Sequence, residues 1–147
     1  MLALAWTLSS CASTSSFVES NYNCAESDKA LEYSEKGDDQ SAIEWYRKGV
    51  AKGDPYSHLM LAFKLLSLSE KTSGAESEQY RTEGLVLLRK VAEADFSSRD
   101  ALFTQWNAQL QLSQFYNTGT YVPKDAQQDV YWEQKARETI KHWEQKS

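Results

Sequence analysis

Three seven-residue strings in this chain echo one another at nearly constant spacing, and that repetition limits the folds open to it more than any other feature. Trp45-Tyr46-Arg47-Lys48-Gly49-Val50-Ala51 returns 42 residues later as Leu87-Leu88-Arg89-Lys90-Val91-Ala92-Glu93, and 44 residues after that as Tyr131-Trp132-Glu133-Gln134-Lys135-Ala136-Arg137. A period of this length belongs to repeats of paired helices. Such a unit cannot bury its apolar face alone, so neighbouring units stack and share one continuous core.

The apolar spacing between the strings agrees. Only 6 Gly and 2 Pro punctuate 147 residues, which suits long helices. An opening segment near Lys29 to Lys36 precedes a helix capped by Asp39 or Ser41, with Ala42, Tyr46, Gly49 and Val50 on one stripe. Gly53-Asp54-Pro55 then breaks that helix and starts the next, which carries Leu59, Met60, Phe63 and Leu66. The polar stretch Ser69 to Ser77 reads as a connection. Beyond it Gly84, Leu85, Leu88, Val91 and Ala92 share a face, and a joint follows at Ala94 to Ser98. The segment Ala101 to Tyr116 is apolar around most of its circumference and is expected to be central. The last segment follows Pro123-Lys124-Asp125 and aligns Trp132, Ala136, Ile140 and Trp143. Six segments predict an all-α chain over residues 28–147, an α-solenoid of about three antiparallel helix pairs.

The start of the chain has a different character. Residues 1–10 open with the apolar run MLALAWTL, too short to cross a bilayer as a helix but the length of the apolar part of an export signal. Leu8-Ser9-Ser10-Cys11 resembles the bacterial lipobox, in which the cysteine is acylated after cleavage, so Cys11 is the candidate lipidation site. No Lys or Arg precedes the run, so either the true start lies upstream or the leader is truncated. Ala12 follows the cysteine, and by resemblance to lipoprotein sorting a residue other than Asp there favours the outer membrane. Residues 11–27, rich in Ser and Asn without a helical period, read as a flexible tether. Nothing basic flanks Cys24, which reads as a locally packed thiol.

The helical body resembles the Sel1-like family, a relative of the tetratricopeptide repeat. Ala42, Trp45, Tyr46, Lys48, Ala51, Gly53 and Asp54 fit that family's first helix and joint. Tyr116, Gly119, Val122 and Asp125 fit its loop, and Ala126, Trp132, Lys135 and Ala136 fit the helix after it. Tyr121 stands where the loop's second glycine is expected, and the equivalent loop after the first pair is replaced by Ser-, Glu- and Lys-rich sequence from Ser67 to Ser77. The resemblance spans residues 28–145 and implies a protein-binding solenoid.

Catalytic signatures are missing from the sequence. His58 and His142 sit on separate segments without metal-ligand neighbours. There is no nucleophile elbow, phosphate-binding glycine loop or dinucleotide fingerprint. Paired carboxylates such as Asp38 with Asp39, or Glu76 with Glu78, read as caps and solvated loops. Trp45, Trp106, Trp132 and Trp143 read as core at helical spacing, and as partner anchors otherwise. The chain is therefore read as a non-enzyme with no catalytic residue, metal, cofactor or small-molecule substrate.

A net charge of -5 argues against nucleic acid and for a basic partner. The function expected is a protein-binding module, lipid-anchored on the periplasmic side of the envelope with the outer membrane favoured. Its most concrete form is an immunity protein that neutralises a periplasm-acting toxin, such as a phospholipase effector of the type VI secretion system. A structural or regulatory envelope adaptor is the alternative, and an unrecognised hydrolase with a deep polar pocket is the third.

Overall fold

The strings that repeat in sequence recur as alternate helices of one stack. The computed structural model describes residues 16–146. The export segment 1–10 and the lipidation candidate Cys11 lie outside the described residues. In chain order the helices are α1 (Ala25–Glu35), α2 (Asp39–Ala51), α3 (Pro55–Lys71), α4 (Gly74–Ala92), α5 (Arg99–Thr118) and α6 (Ala126–Glu144), with no strand among the described residues. The three echoing strings fall on α2, α4 and α6. The closest packing joins α1 with α2, α3 with α4, and α5 with α6, and short connections make each pair antiparallel. The fold is thus an all-α stack of three helix pairs, with α3 and α5 also touching across it.

Local chemistry sets the helix ends. Asp38, rather than Asp39 or Ser41, caps α2 by accepting from the Ser41 N–H at 3.1 Å. Gly53 takes the left-handed conformation at φ +76°, which lets the chain leave α2 and turn straight into α3. Asp54 caps α3 from the N–H groups of Tyr56 and Ser57, and Pro55 occupies the first turn where no N–H is needed. Asp125 does the same for α6 from Gln127 and Gln128.

Burial runs in two connected clusters. One gathers Ala30, Ala42, Tyr46, Leu61 and Leu65 from α1, α2 and α3; the other gathers Leu59, Ala62, Leu66, Leu88, Val91, Leu102, Leu112 and Trp132 from α3 to α6. Helix α3 feeds both clusters, and Leu87 packs against both. The central element is therefore α3, while α5 leaves Phe103 42% exposed. Gly49 and Gly84 let the helices approach α3 closely. A Cβ on Gly49 would lie 2.0 Å from Ser57 Oγ, and one on Gly84 would lie 2.9 Å from Leu66 Cγ.

Two expectations are corrected. The polar stretch 69–77 is mostly helix, because Ser69 turns its hydroxyl to the Leu66 carbonyl at 2.6 Å and α3 runs on to Lys71. Only Thr72 and Ser73 separate it from α4. Residues 16–27 are not a flexible tether, because the chain from Ser16 lies on the stack and α1 begins at Ala25; the rest of the expected tether, residues 11–15, lies outside the described residues. Phe17 packs against His58 and Phe96, with ring centroids 4.6 and 4.9 Å away. Val18 donates to the Gly53 carbonyl at 3.0 Å, and Asn21 to the Lys52 carbonyl at 2.8 Å. Glu19 receives the N–H groups of Ser97 and Ser98 at the start of α5. Burial pushes its carboxyl up, and the Ser98 and Ser97 hydrogen bonds outweigh that and hold it below the usual range. A carboxylate at a helix N-terminus is also favoured by the helix dipole.

Candidate functional site

Alternate helices leave open grooves between them, floored by the helix in between. Between α2 and α4 the groove has a volume of about 460 Å³. Ile43, Leu68 and Tyr80 give it an apolar lining, and Asp39, Glu44 and Arg47 give it a charged rim. Arg47 pairs with Glu83 across it and so ties α2 to α4. Asp39 holds Lys64 at 2.5 Å, and that hydrogen bond keeps its carboxyl below the ordinary aspartate range.

The next groove, of about 250 Å³, lies between the end of α4 and α6 over α5. Its floor is built from amide chemistry. A helix end leaves carbonyls without partners, and here α5 supplies them: Gln105 Nε2 donates to the carbonyls of Ala92 and Ala94, and Gln109 Nε2 donates to Ala92 at 3.0 Å. Trp132, Tyr131, Lys135 and Glu138 of α6 form the far wall, and Glu93 stands at the mouth.

These grooves belong to one layer of the stack. On α4, Val86 projects away from the buried stripe of Gly84, Leu88 and Ala92, and on α6 Val130 projects away from Trp132 and Ala136. They are the most exposed large apolar side chains among the described residues, at 58% and 60%, and Tyr131 beside Val130 is 47% exposed. The face of α2, α4 and α6 thus combines exposed apolar side chains, tyrosines and charged groups of both signs. That composition suits another polypeptide.

The residues singled out in sequence scatter around this face. Trp132 reaches the α4–α6 groove from the core at 4% exposure. Trp106 and Trp143 instead flank Phe103, and Arg99 lies 4.0 Å over the Trp143 ring, on the end of the stack where α5 begins. Trp45 carries Lys48 over its ring on α2. His142 is exposed near the end of α6.

Cys24, Asp54, Ser57 and His58 do come together, but inside the α2–α3 joint. The Asp54 carboxylate, fully buried, accepts from the Ser57 hydroxyl at 2.6 Å and from the Asn23 N–H at 3.1 Å, with the Cys24 thiol at 3.7 Å. His58 Nδ1 lies 2.8 Å from the Asp54 carbonyl, which fixes the ring proton on that nitrogen. Burial lowers the imidazole pKa and raises that of the Cys24 thiol. The Asp54 carboxylate, the Ser57 hydroxyl and His58 Nδ1 are spent on closing the joint, while His58 Nε2 is buried without a hydrogen-bond partner among the described residues. No group of three or more potential metal ligands occurs among the described residues, and no helix among them is long and apolar enough to cross a membrane.

Sequence reasoning did not single out Tyr80, Gln105, Gln109 or Tyr131. The available signal was the pair Gln105 and Gln109, one helical turn apart on the segment that also carries Leu102, Leu112 and Phe115. The chain matches no protein-family model, no curated protein and no solved structure.

Proposed function

We propose that this chain is a protein-binding module whose working surface is the face of α2, α4 and α6. The observation that carries the reading is the run of two open grooves on that face, each walled by a tyrosine and rimmed by carboxylates. Stacked helix pairs offer extended surfaces of this kind to partner chains. Aromatic side chains ringed by polar groups are the usual anchors of such contacts.

In its finer form, the module is an immunity lipoprotein that neutralises a toxin acting on the cell envelope. Three features support this form. Leu8-Ser9-Ser10-Cys11 fits acylation at Cys11, the repeated strings resemble Sel1-like lipoproteins, and a net charge of -5 favours a basic toxin surface and fast encounter. On the rims of the two grooves Glu44 and Glu93 carry part of that charge, while Asp39 is paired with Lys64 and Glu138 with Lys135.

The test is to export the product of a neighbouring toxin gene to the periplasm with and without this chain. Survival only when the chain is present supports immunity, and equal killing in both cultures ends it. Co-purification of resident envelope proteins instead would favour an adaptor. A Cys11→Ser variant should move from the membrane fraction to the soluble one; identical fractionation of both forms would remove the lipid anchor.

A further inference from the structure

Two residues that line the α4–α6 groove each carry a buried polar atom that the described residues leave without a hydrogen-bond partner: Trp132 Nε1, a donor, and Gln109 Oε1, an acceptor. The two residues are 4% and 2% exposed. The orientation of the Gln109 amide is fixed by chemistry, because the Ala92 carbonyl can only accept and the nitrogen must face it. Its oxygen is therefore left over. Buried donors and acceptors are almost always satisfied, by protein, water or ligand. One donor and one acceptor in a single groove match the two faces of an amide.

We propose that this groove recognises the primary amide of an Asn or Gln side chain of the partner chain, whose oxygen and N–H lie side by side. The Trp132 indole N–H donates to the amide carbonyl, and Gln109 Oε1 accepts from the amide N–H. The inference rests on the protein-binding reading and names the chemistry recognised at one part of its face. Tyr131 packs edge-on against the Trp132 ring at 5.0 Å and is 47% exposed, so the side chain beside the indole is free to move at the surface. A volume of about 250 Å³ accommodates one side chain or a short stretch of backbone, not a larger cofactor.

The experiment follows the Trp132 indole cross-peak of the isotope-labelled full chain during titration with succinamide, and with dimethyl succinate, which keeps the four-carbon succinyl core and its two carbonyls but carries methoxy groups in place of NH2 and so has no N–H. The expected result is a saturable shift with succinamide and binding at least about tenfold weaker for the ester. In Gln109→Leu the amide should lose about tenfold in affinity. If that variant does not fold, Trp132→Phe with the Gln109 side-chain amide as reporter gives the same comparison.

A peak that responds alike to both probes overturns the inference. So does an indole that stays in contact with a long-lived water at saturating succinamide, since water alone then satisfies the pair. If a toxin binds the face while the indole stays unmoved, the amide site falls and the module stands. If the indole responds to succinamide and no protein partner is found, the module falls and the amide site stands.

Discussion

Gly49 shows how much one hydrogen atom decides in this fold. The α2–α3 joint closes because Ser57 can reach Asp54 across the space a Cβ would fill, 2.0 Å from the serine oxygen. Gly49→Ala gains helix propensity but forces that joint apart, and the net effect should be a loss of about 1 to 3 kcal/mol in urea unfolding. An unchanged or raised midpoint would contradict the packing. His58 gives a second test at the same joint. Burial holds its pKa below the ordinary 6.5, and nearby Lys90 pushes the same way. The unfolded chain therefore binds the proton more readily than the folded one. Stability contributed by the neutral ring is complete above pH 6.5 and falls as the pH drops below it, by up to about 1.4 kcal/mol per pH unit. His58→Leu should flatten the curve between pH 6.5 and 5. The carboxylates held low, Glu19 and Asp39 among them, lose their contribution only at lower pH. A wild-type curve with no fall in that window would show that the imidazole is not buried.

The helices differ in what holds their starts. Asp125 is an exposed cap, and Asp125→Ala should cost about 1 kcal/mol. Asp54 caps α3 while receiving the Ser57 hydroxyl and the Asn23 N–H in a buried setting, so Asp54→Ala should cost at least about 3 kcal/mol. Equal losses in chemical denaturation would reduce Asp54 to an ordinary cap. Ala136, 1% exposed, faces the core from the α6 copy of the repeated string. Ala136→Glu should unfold the α5–α6 pair or lower the melting temperature by more than 10 °C, on the order of 3 kcal/mol or more; an unchanged melting temperature would refute the repeat register. These joints were legible because Gly53-Asp54-Pro55 and Asp125 act through neighbours in sequence. The stretch 69–77 carries no apolar period, because Glu70, Lys71 and Glu76 face outward and the buried Ser69 is a polar residue that satisfies its hydroxyl within α3. The docking of residues 16–24 had no local sign at all, since Glu19 reaches Ser97 across 78 positions. The candidate face was hidden for the same reason. Trp132 read as core, and it is core; only the tertiary placement of Gln109 and Tyr131 turns its edge into a groove wall.

At the scale of the whole molecule, one layer of helices carries the repeated strings and the open grooves, and the other layer supplies floors and caps. The segment from Ser16 closes the end of the stack where α3 and α5 begin, through Val18 on the Gly53 carbonyl and Glu19 on Ser97 and Ser98. The α2–α4–α6 face would remain free for a partner. Photocrosslinking reads this arrangement in one step, with a benzophenone side chain placed at position 131 on the face or at exposed position 114 on α5, in cells that also export the toxin under the immunity test. A covalent adduct with the toxin from position 131 and none from position 114 is the outcome that follows from the structure. Adducts of equal yield from both positions, or from position 114 alone, would place the binding surface elsewhere.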